Sequence, residues 1–326
     1  MAEPETIFAS PGLVPLAARL ATLGTTKVLV LAPPSRRHVA EVALALDGFL
    51  PAVFDGAAVH VPAAVVEAAT ARLVETGADT VVAVGGGSSV GLGKALRLAH
   101  AIRFAAIPTT YAGSEMTAMF GITRDRDKQT GRDPRVRPDL VLYDVALTLE
   151  MPIGLTVQSL CNAIAHVASV LSTGSLSEEV RTDALAAAAT VVHAIERLVV
   201  SPGDRAARED ALRGASRCAR AFDRGKPGIQ HALAHLLGGA FNLDHAALHA
   251  VLLPRFLAHL RATSPAIVDD LERAVGHVDL GGTLVRLLAR AGAPGSLSAL
   301  GLGADDLAAV RAERPDLAGP LALAAD

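Results

Sequence analysis

Pairs of polar side chains four residues apart are the feature of this sequence best suited to chemistry. Asn162 and His166 form one pair, His231 and His235 form another, and His245 follows fourteen residues after His231. Residues four apart lie on the same face of a helix, so each pair can direct two polar groups into one space. An imidazole can deliver a proton near neutral pH or stabilise a developing oxyanion. Each histidine taken alone is better explained as a hydrogen-bonded core residue, so the prediction depends on the whole set.

A glycine-rich turn is the second candidate site. The apolar run TVVAV is followed by Gly85-Gly86-Gly87-Ser88 and then by a helical pattern. Glycines let backbone N–H groups approach a phosphate closely, and the start of a helix adds N–H donors and a partial positive charge. An ordinary tight turn has the same composition, because short glycine motifs are common. The next apolar run, FAAIP, also ends in polar residues, Thr109-Thr110-Tyr111, and two such loops at strand ends predict a dinucleotide site.

The two candidate sites belong to halves of different character. Before residue 147, short apolar runs such as KVLVLA (27–32) and LVLYDV (140–145) alternate with helical patterns, which predicts a parallel sheet with crossover helices. After it the periodicity is helical, as in SEEVRTDALAAAATVVHAIERLV, where Ser177 or the residues before it can cap the start. The sequence therefore predicts an N-terminal Rossmann-like α/β nucleotide-binding domain at 1–146 and an all-α helical substrate or catalytic domain at 147–326.

Composition favours an enzyme that acts on small molecules. Of the 326 residues 51% are hydrophobic, and the formal charge of −3 leaves no basic surface for nucleic acid. The longest uncharged stretch, 151–177, contains Asn162, His166 and several serines, which would be costly to bury in lipid. The first residues lack the apolar run of a secretory signal, and two cysteines make no disulfide framework. We therefore expect a cytoplasmic protein with no nucleic-acid or membrane partner.

Five segments carry a family resemblance. They are FDGAAVHVP, GGGSSVGLGKA, IPTTYAGSEMT, TGRDPRVRP and HALAHLLGGAFNLDHA. Each is similar, in the same order, to a segment of the maleylacetate reductases, a group within the iron-containing alcohol dehydrogenase superfamily, which has a dehydroquinate synthase-like fold. The similarity runs from about residue 7 to residue 262. It implies a homodimer that uses NADH or NADPH.

The resemblance assigns roles at the glycine-rich turn. It implies that Gly85, Gly86, Gly87 and Ser88 bind the cofactor pyrophosphate, that Thr109 and Thr110 line its other side, and that Lys128 lies near the ribose. Arg36 and Arg37, which follow KVLVLA, are candidates to pair with a 2'-phosphate and so favour NADPH. Surface arginines are more often solvated, so both cofactors stay open.

The resemblance also bears on metal binding. In the superfamily, an aspartate and three histidines at positions equivalent to Asn162, His166, His231 and His245 bind a divalent metal. A neutral amide is a far poorer ligand than a carboxylate. The sequence therefore predicts no bound metal, although three imidazoles can hold zinc or iron without the fourth ligand. The histidines are interpreted instead as catalytic groups.

The reaction that the resemblance implies is reduction of the C=C bond of maleylacetate, an unsaturated keto acid, to 3-oxoadipate. Hydride addition to a double bond conjugated with a ketone leaves an enolate, whose charge needs stabilisation. His235 or His245 is expected to stabilise this charge, and His166 or His231 to supply the proton. The substrate-binding residues are predicted to be Tyr111, Asn162 and Arg255.

Four positions depart from the family pattern and keep other hypotheses open. The family usually has a histidine at Gln230, an acidic residue at Ala247, a histidine at Arg255 and a glycine at Leu160. The alternative is a superfamily homologue recruited to another substrate in specialised metabolism. It would carry out alcohol or ketone oxidoreduction, or non-redox dehydration or cyclisation, in the same histidine pocket. A binding protein that retains only the fold is the third hypothesis, and the intact glycine-rich turn argues against it.

Overall fold

A computed structural model of the chain describes residues 3–9, 13–124 and 127–313. The chain divides into two compact units, Met1–Glu150 and Met151–Asp326. The boundary predicted from the sequence lies between residues 146 and 147. Leu147 packs in the apolar core of the first unit, beside Leu140 and Leu142, and this contact accounts for a division after Glu150.

A parallel sheet forms the centre of the first unit. In the described part of the chain it has six strands in the order β1-β8-β5-β4-β2-β3. The strands are β1 (Glu5–Ala9), β2 (Val28–Leu31), β3 (Ala52–Phe54), β4 (Thr80–Gly85), β5 (Arg103–Pro108) and β8 (Leu140–Asp144), and β6 (Met119–Arg124) pairs antiparallel with β7 (Asp127–Arg132) as a separate hairpin. Every residue of β2 and β4 is buried, as continuous apolar runs in parallel sheets require.

The register of the sheet sets the two predicted loops side by side. Gly85, at the end of β4, pairs with Pro108, at the end of β5, so the glycine-rich turn and the threonine loop leave the sheet at the same level. The α-helices in the described residues of this unit are α1 (Leu16–Thr22), α2 (Val39–Ala45), α3 (Ala63–Thr76) and α4 (Gly87–Ala99). The alternation of strand and helix confirms the predicted α/β class.

The second unit is helical throughout its described residues, which confirms the predicted all-α half. Its helices are α5 (Ile153–Leu171), α6 (Glu178–Leu198), α7 (Arg205–Arg224), α8 (Ile229–Phe241), α9 (His245–Thr263), α10 (Pro265–Val275), α11 (Leu280–Arg290) and α12 (Ala304–Glu313). Ser177 caps α6 as predicted, because its hydroxyl accepts a hydrogen bond from the Val180 N–H at 3.4 Å.

Helix α5 alone, among the described residues, is long and apolar enough to cross a membrane by length and composition. Yet 83% of its apolar window is buried inside the protein. A buried apolar helix of this length is also typical of the core of a soluble protein. Asn162 and His166 lie on this helix and are themselves buried, which agrees with the expectation that the segment does not face lipid.

Candidate active site

Five histidine rings converge in the second unit. His166 comes from α5, His231 and His235 from α8, and His245 and His249 from α9. We call these five residues the imidazole cluster. The ring centre of His231 lies 5.7 Å from that of His166, 4.7 Å from His235, 5.4 Å from His245 and 4.9 Å from His249. All four histidines predicted from the sequence therefore meet in one place.

The turn between α8 and α9 brings four of the rings together. Helix α8 ends at Asn242, which adopts a left-handed conformation with φ of 52°, a geometry that asparagine tolerates better than most residues. Asp244 then caps α9 by accepting a hydrogen bond from the Ala247 N–H at 2.9 Å. With so short a connection the two helices pack against each other as antiparallel neighbours. The pair His231 and His235 consequently faces the pair His245 and His249.

Burial divides the imidazole cluster into two kinds of group. Burial lowers the pKa of His166 to about 3, and repulsion from His235 adds to the effect. Burial also holds the pKa of His249 well below its usual value, and the neighbouring imidazoles lower it further. His166 stacks on Phe222 with 4.4 Å between ring centres. His166 and His249 are therefore uncharged at neutral pH, whereas the half-buried His235 and His245 retain access to solvent or ligand.

His249 is the member of the cluster that sequence reasoning missed. Its side chain is fully buried, and its Nε2 lies 3.1 Å from Nε2 of His245. The signal for it was present, because His249 follows His245 by four residues, the same spacing that identified the other pairs.

Three residues were predicted to bind the substrate: Asn162, Arg255 and Tyr111. Asn162 lies one helical turn before His166 on α5, is 2% exposed, and its Oδ1 has no hydrogen-bond partner. Arg255 is ten residues beyond His245 on α9, which places its backbone about 15 Å along the helix. Tyr111 belongs to the first unit and is 1% exposed.

At the first position of the glycine-rich turn, the backbone conformation suits only glycine. Gly85 has φ of 138°, and a Cβ there would lie 2.7 Å from Oγ of Ser89. A Cβ on Gly86 would lie 2.9 Å from Cγ2 of Thr110, whereas one on Gly87 would meet no protein atom within 4 Å. No side chain caps α4, so its first N–H groups are available to an anion. We call the exposed N–H groups of this turn the cradle. Side chains at Gly85 and Gly86 would crowd it, and the two glycines keep it open.

The threonine loop is tied to the glycine-rich turn through the backbone. The Thr109 N–H donates to the carbonyl of Gly85 at 3.0 Å. Thr109, Thr110 and Ser88 are half-buried. The side chain of Lys128, predicted to lie near the ribose, is outside the described residues. Arg36, the candidate for a 2'-phosphate, forms an exposed ion pair with Asp55 at 3.0 Å.

A network of buried hydrogen bonds joins α4 to the segment that follows the threonine loop. The Lys94 ammonium, on α4, donates to Oγ1 of Thr117 at 3.0 Å and to the carbonyl of Met119 at 2.8 Å. The Tyr143 hydroxyl donates to Oε1 of Glu115 at 2.7 Å. Burial raises the pKa of Glu115, against the opposing effects of the Tyr143 hydrogen bond and the Lys94 charge. The network fixes the segment after the threonine loop against the helix that starts at the glycine-rich turn.

The burial of His166 predicts a loss of stability in acid. Its folded pKa of about 3 lies below the ordinary 6.5, so the unfolded chain binds the additional proton between those pH values. The free energy of unfolding is therefore highest above pH 6.5 and falls as the pH drops toward 3. This group alone gives a slope of up to about 1.4 kcal/mol per pH unit. Urea denaturation at several pH values should show a smaller slope in His166→Asn than in the wild type.

A matched control for this experiment is His259→Gln, which removes a histidine on α9 outside the cluster. In this variant the free energy of unfolding is expected to change with pH as steeply as in the wild type. Equal slopes in all three proteins would contradict a buried, uncharged His166.

Part of the imidazole cluster has the spacing of a metal site. Ring nitrogens of His231, His245 and His249 all lie within 4.8 Å of one another. In the described part of the chain this group contains no carboxylate. Its possible ligand atoms are ring nitrogens of three histidines, and the sequence predicts the amide of Asn162 at the fourth position.

Comparison with known proteins gives matches over both halves of the chain. The family model for iron-containing alcohol dehydrogenase matches residues 4–145, and the model for the C-terminal part of the same family matches residues 156–313. Maleylacetate reductase from Burkholderia cepacia is 41% identical over 300 residues, which are 92% of this chain and 85% of that protein. Maleylacetate reductase 1 from Cupriavidus pinatubonensis is 38% identical over 309 residues, covering 94% and 87%.

A solved structure gives the same result. The crystal structure of maleylacetate reductase from Agrobacterium tumefaciens superposes with a TM-score of 0.86 at 39% identity, covering 94% of this chain and 88% of that one. The folds therefore agree over nearly the whole length. With these matches in both halves, the chain belongs to the iron-containing alcohol dehydrogenase family and is an oxidoreductase.

Proposed function

We propose that this chain reduces the C=C bond of maleylacetate, an unsaturated keto acid, to 3-oxoadipate with NADH or NADPH. The observation that carries the proposal is the convergence of the five imidazoles, in a chain whose relatives at 38–41% identity are maleylacetate reductases. A cluster of proton-carrying donors is what an enolate-forming reduction requires. We extend the proposal to a cytoplasmic homodimer, as the sequence resemblance implies.

The cradle at the glycine-rich turn fits a dinucleotide. Its backbone approaches closely because Gly85 and Gly86 carry no Cβ, and the uncapped start of α4 offers N–H donors to a pyrophosphate. Ser88, Thr109 and Thr110 are the polar side chains at its edge. The bound cofactor supplies the hydride. Because Arg36 is already paired with Asp55, we expect NADH to bind at least as well as NADPH.

The imidazole cluster has the chemistry to manage the charge and proton of this reaction. An enolate oxygen is stabilised by N–H donors held in a site of low polarity. His235 and His245 suit that role because they are the half-buried members of the cluster. An uncharged imidazole with a pKa near 3 is a poor acid at neutral pH, so we assign His166 to hydrogen bonding. The proton is then supplied by His231 or His235.

Unsatisfied atoms beside the cluster mark where a polar ligand completes the structure. Oδ1 of Asn162 and Nδ1 of His166 are buried without hydrogen-bond partners. Buried polar atoms are nearly always paired in proteins, so a bound molecule or ordered water is expected at each. We propose that substrate occupies this place next to Asn162. Contacts from Tyr111 and Arg255 to the substrate remain predictions.

The direct test has two steps. Purified protein is titrated with NADH and NADPH while nicotinamide fluorescence is followed, and maleylacetate is then added while absorbance of the reduced cofactor is recorded. We expect saturable binding followed by oxidation of the cofactor only when substrate is present. If the protein binds neither NADH nor NADPH, every proposed redox function is excluded. Binding without oxidation would favour a family member recruited to another substrate.

The iron in the family name calls for a separate test, because the residues present do not fit it. Nε2 of His245 and Nε2 of His249 hydrogen-bond each other at 3.1 Å, so a proton occupies the space between two of the possible ligand atoms. Among the residues that the structure describes, the group of three imidazoles includes no carboxylate, and Asn162 offers only a neutral oxygen. We therefore propose that the reaction proceeds without a metal ion.

Metal analysis checks this proposal. Protein purified without chelator is expected to contain well under one zinc or iron ion per chain, and its activity should survive EDTA. Asn162→Asp, which supplies a carboxylate at the fourth position, is expected to bind added zinc more tightly than the wild type does. Stoichiometric metal in the wild type, lost together with activity on chelation, would show that the proposal is wrong.

A further inference from the structure

A buried glutamine contacts the imidazole cluster from α8. Gln230 is 1% exposed, and its amide Nε2 lies 2.9 Å from Nδ1 of His249. An amide NH₂ group can only donate, so Nδ1 of His249 must accept. Oε1 of the same amide is buried with no hydrogen-bond partner. In the described structure the Gln230 side chain therefore forms one side-chain hydrogen bond, in which its amide NH₂ group is the donor.

This contact determines where the proton of His249 lies. His249 is fully buried, and burial favours the uncharged ring, which carries one proton. With Nδ1 acting as acceptor, the proton must be on Nε2. Nε2 of His249 lies 3.1 Å from Nε2 of His245, so the His249 N–H donates and His245 accepts. With Nε2 as the acceptor, the neutral form of the His245 ring has its proton on Nδ1.

We propose that Gln230 is a positioning residue that fixes the tautomers of His249 and His245. Through this chain of two hydrogen bonds it determines which nitrogen of His245 carries the proton. The glutamine itself touches neither substrate nor cofactor in this account. The kinetic part of the inference depends on the proposed reductase function, whereas the tautomer assignment does not.

The competing arrangement is an amide turned by half a rotation. Oε1 would then accept a proton from Nδ1 of His249, Nε2 of His249 would become an acceptor, and His245 would donate to it. The amide NH₂ would face the place where Oε1 now has no partner. The two arrangements predict opposite tautomers for His249, so one measurement separates them.

The measurement is a long-range ¹H–¹⁵N NMR spectrum of protein labelled with ¹⁵N-histidine and free of cofactor. Signals of His249 are assigned by their loss in His249→Gln. We expect Nδ1 of His249 to give the shift of an unprotonated ring nitrogen and Nε2 that of a protonated one. A proton on Nδ1 in the wild type would overturn the inference. Where that variant fails to fold, correlation of the ring nitrogens with the assigned backbone of the wild-type protein identifies the same signals.

Gln230→Met tests the positioning role, because methionine has a similar shape and no N–H donor. We expect the Nδ1-protonated form of His249 to appear and kcat to fall by about tenfold or more, with KM for NADH unchanged. Gln158→Met, at another buried glutamine of the same unit, should leave the His249 tautomer as in the wild type. An unchanged tautomer in Gln230→Met would overturn the inference.

The inference and the proposed function fail in different ways. If His249 has the predicted tautomer but the protein does not reduce maleylacetate, the role of Gln230 is supported and only the proposed substrate is wrong. If the protein reduces maleylacetate but His249 has the opposite tautomer, the proposed substrate is supported and the role of Gln230 is wrong.

Discussion

Replacing His231 with asparagine is expected to lower kcat for maleylacetate reduction by about 10²- to 10⁴-fold, the usual contribution of a positioned acid or base. His231 is the one member of the imidazole cluster whose ring, in the described structure, contacts all four others, at 4.7–5.7 Å between ring centres. It also bonds to Nε2 of His235 at 3.0 Å. Its loss therefore removes a proton-carrying group and the ring contacts that it makes with His166 on α5 and with His245 and His249 on α9.

The NADH dissociation constant should be unchanged in His231→Asn, because the proposed cofactor contacts are made by the glycine-rich turn and not by His231. Steady-state kinetics together with fluorescence titration separate the two effects. His259→Gln, on α9 but outside the cluster, is the matched control and should retain full activity. Normal kcat in His231→Asn would contradict a catalytic role for the cluster.

Replacing Gly85 with alanine is expected to weaken NADH binding by about 10- to 100-fold. An L-residue held at this φ costs about 1–3 kcal/mol, and each 1.4 kcal/mol corresponds to tenfold in affinity. The new Cβ would also lie 2.7 Å from Oγ of Ser89. Relief of both strains requires the turn to shift, which moves the N–H groups of Gly86 and Gly87 away from a pyrophosphate.

Gly48→Ala is the control for this change. Gly48 lies in the same unit, its φ is not in the left-handed range, and a Cβ there would meet no atom within 4 Å. It should bind NADH as the wild type does. Thermal unfolding of both variants shows how much of the lost affinity comes from a less stable domain. Wild-type affinity in Gly85→Ala would contradict the assignment of the turn to the cofactor.

Much of the fold could be predicted from local patterns. The run VLVL gave β2 because a strand covered on both faces is apolar throughout, and Ser177 marked the start of α6 because its hydroxyl satisfies a free N–H. Strand β1 (Glu5–Ala9) was not predicted. It is a short edge strand, defined by its pairing with β8 rather than by its own composition.

The candidate site was predictable up to the point where three helices must meet. Spacing identified pairs on α5 and α8 because helical periodicity fixes which residues share a face. It could not show that α5, α8 and α9 bring their faces together, since that depends on packing between distant segments. His249 was within reach of the same rule. The hydrogen bond from Gln230 was not, because it depends on side-chain positions nineteen residues apart.

The most direct test of the account follows the hydride itself. The wild-type protein is supplied with maleylacetate and NADH that carries deuterium at the transferable position, and the product is analysed by mass spectrometry and NMR. The account predicts 3-oxoadipate with one deuterium on the carbon beta to the ketone and a solvent-derived proton on the carbon alpha to it. Product with no deuterium, or deuterium on the carbon that carried the ketone, would contradict it.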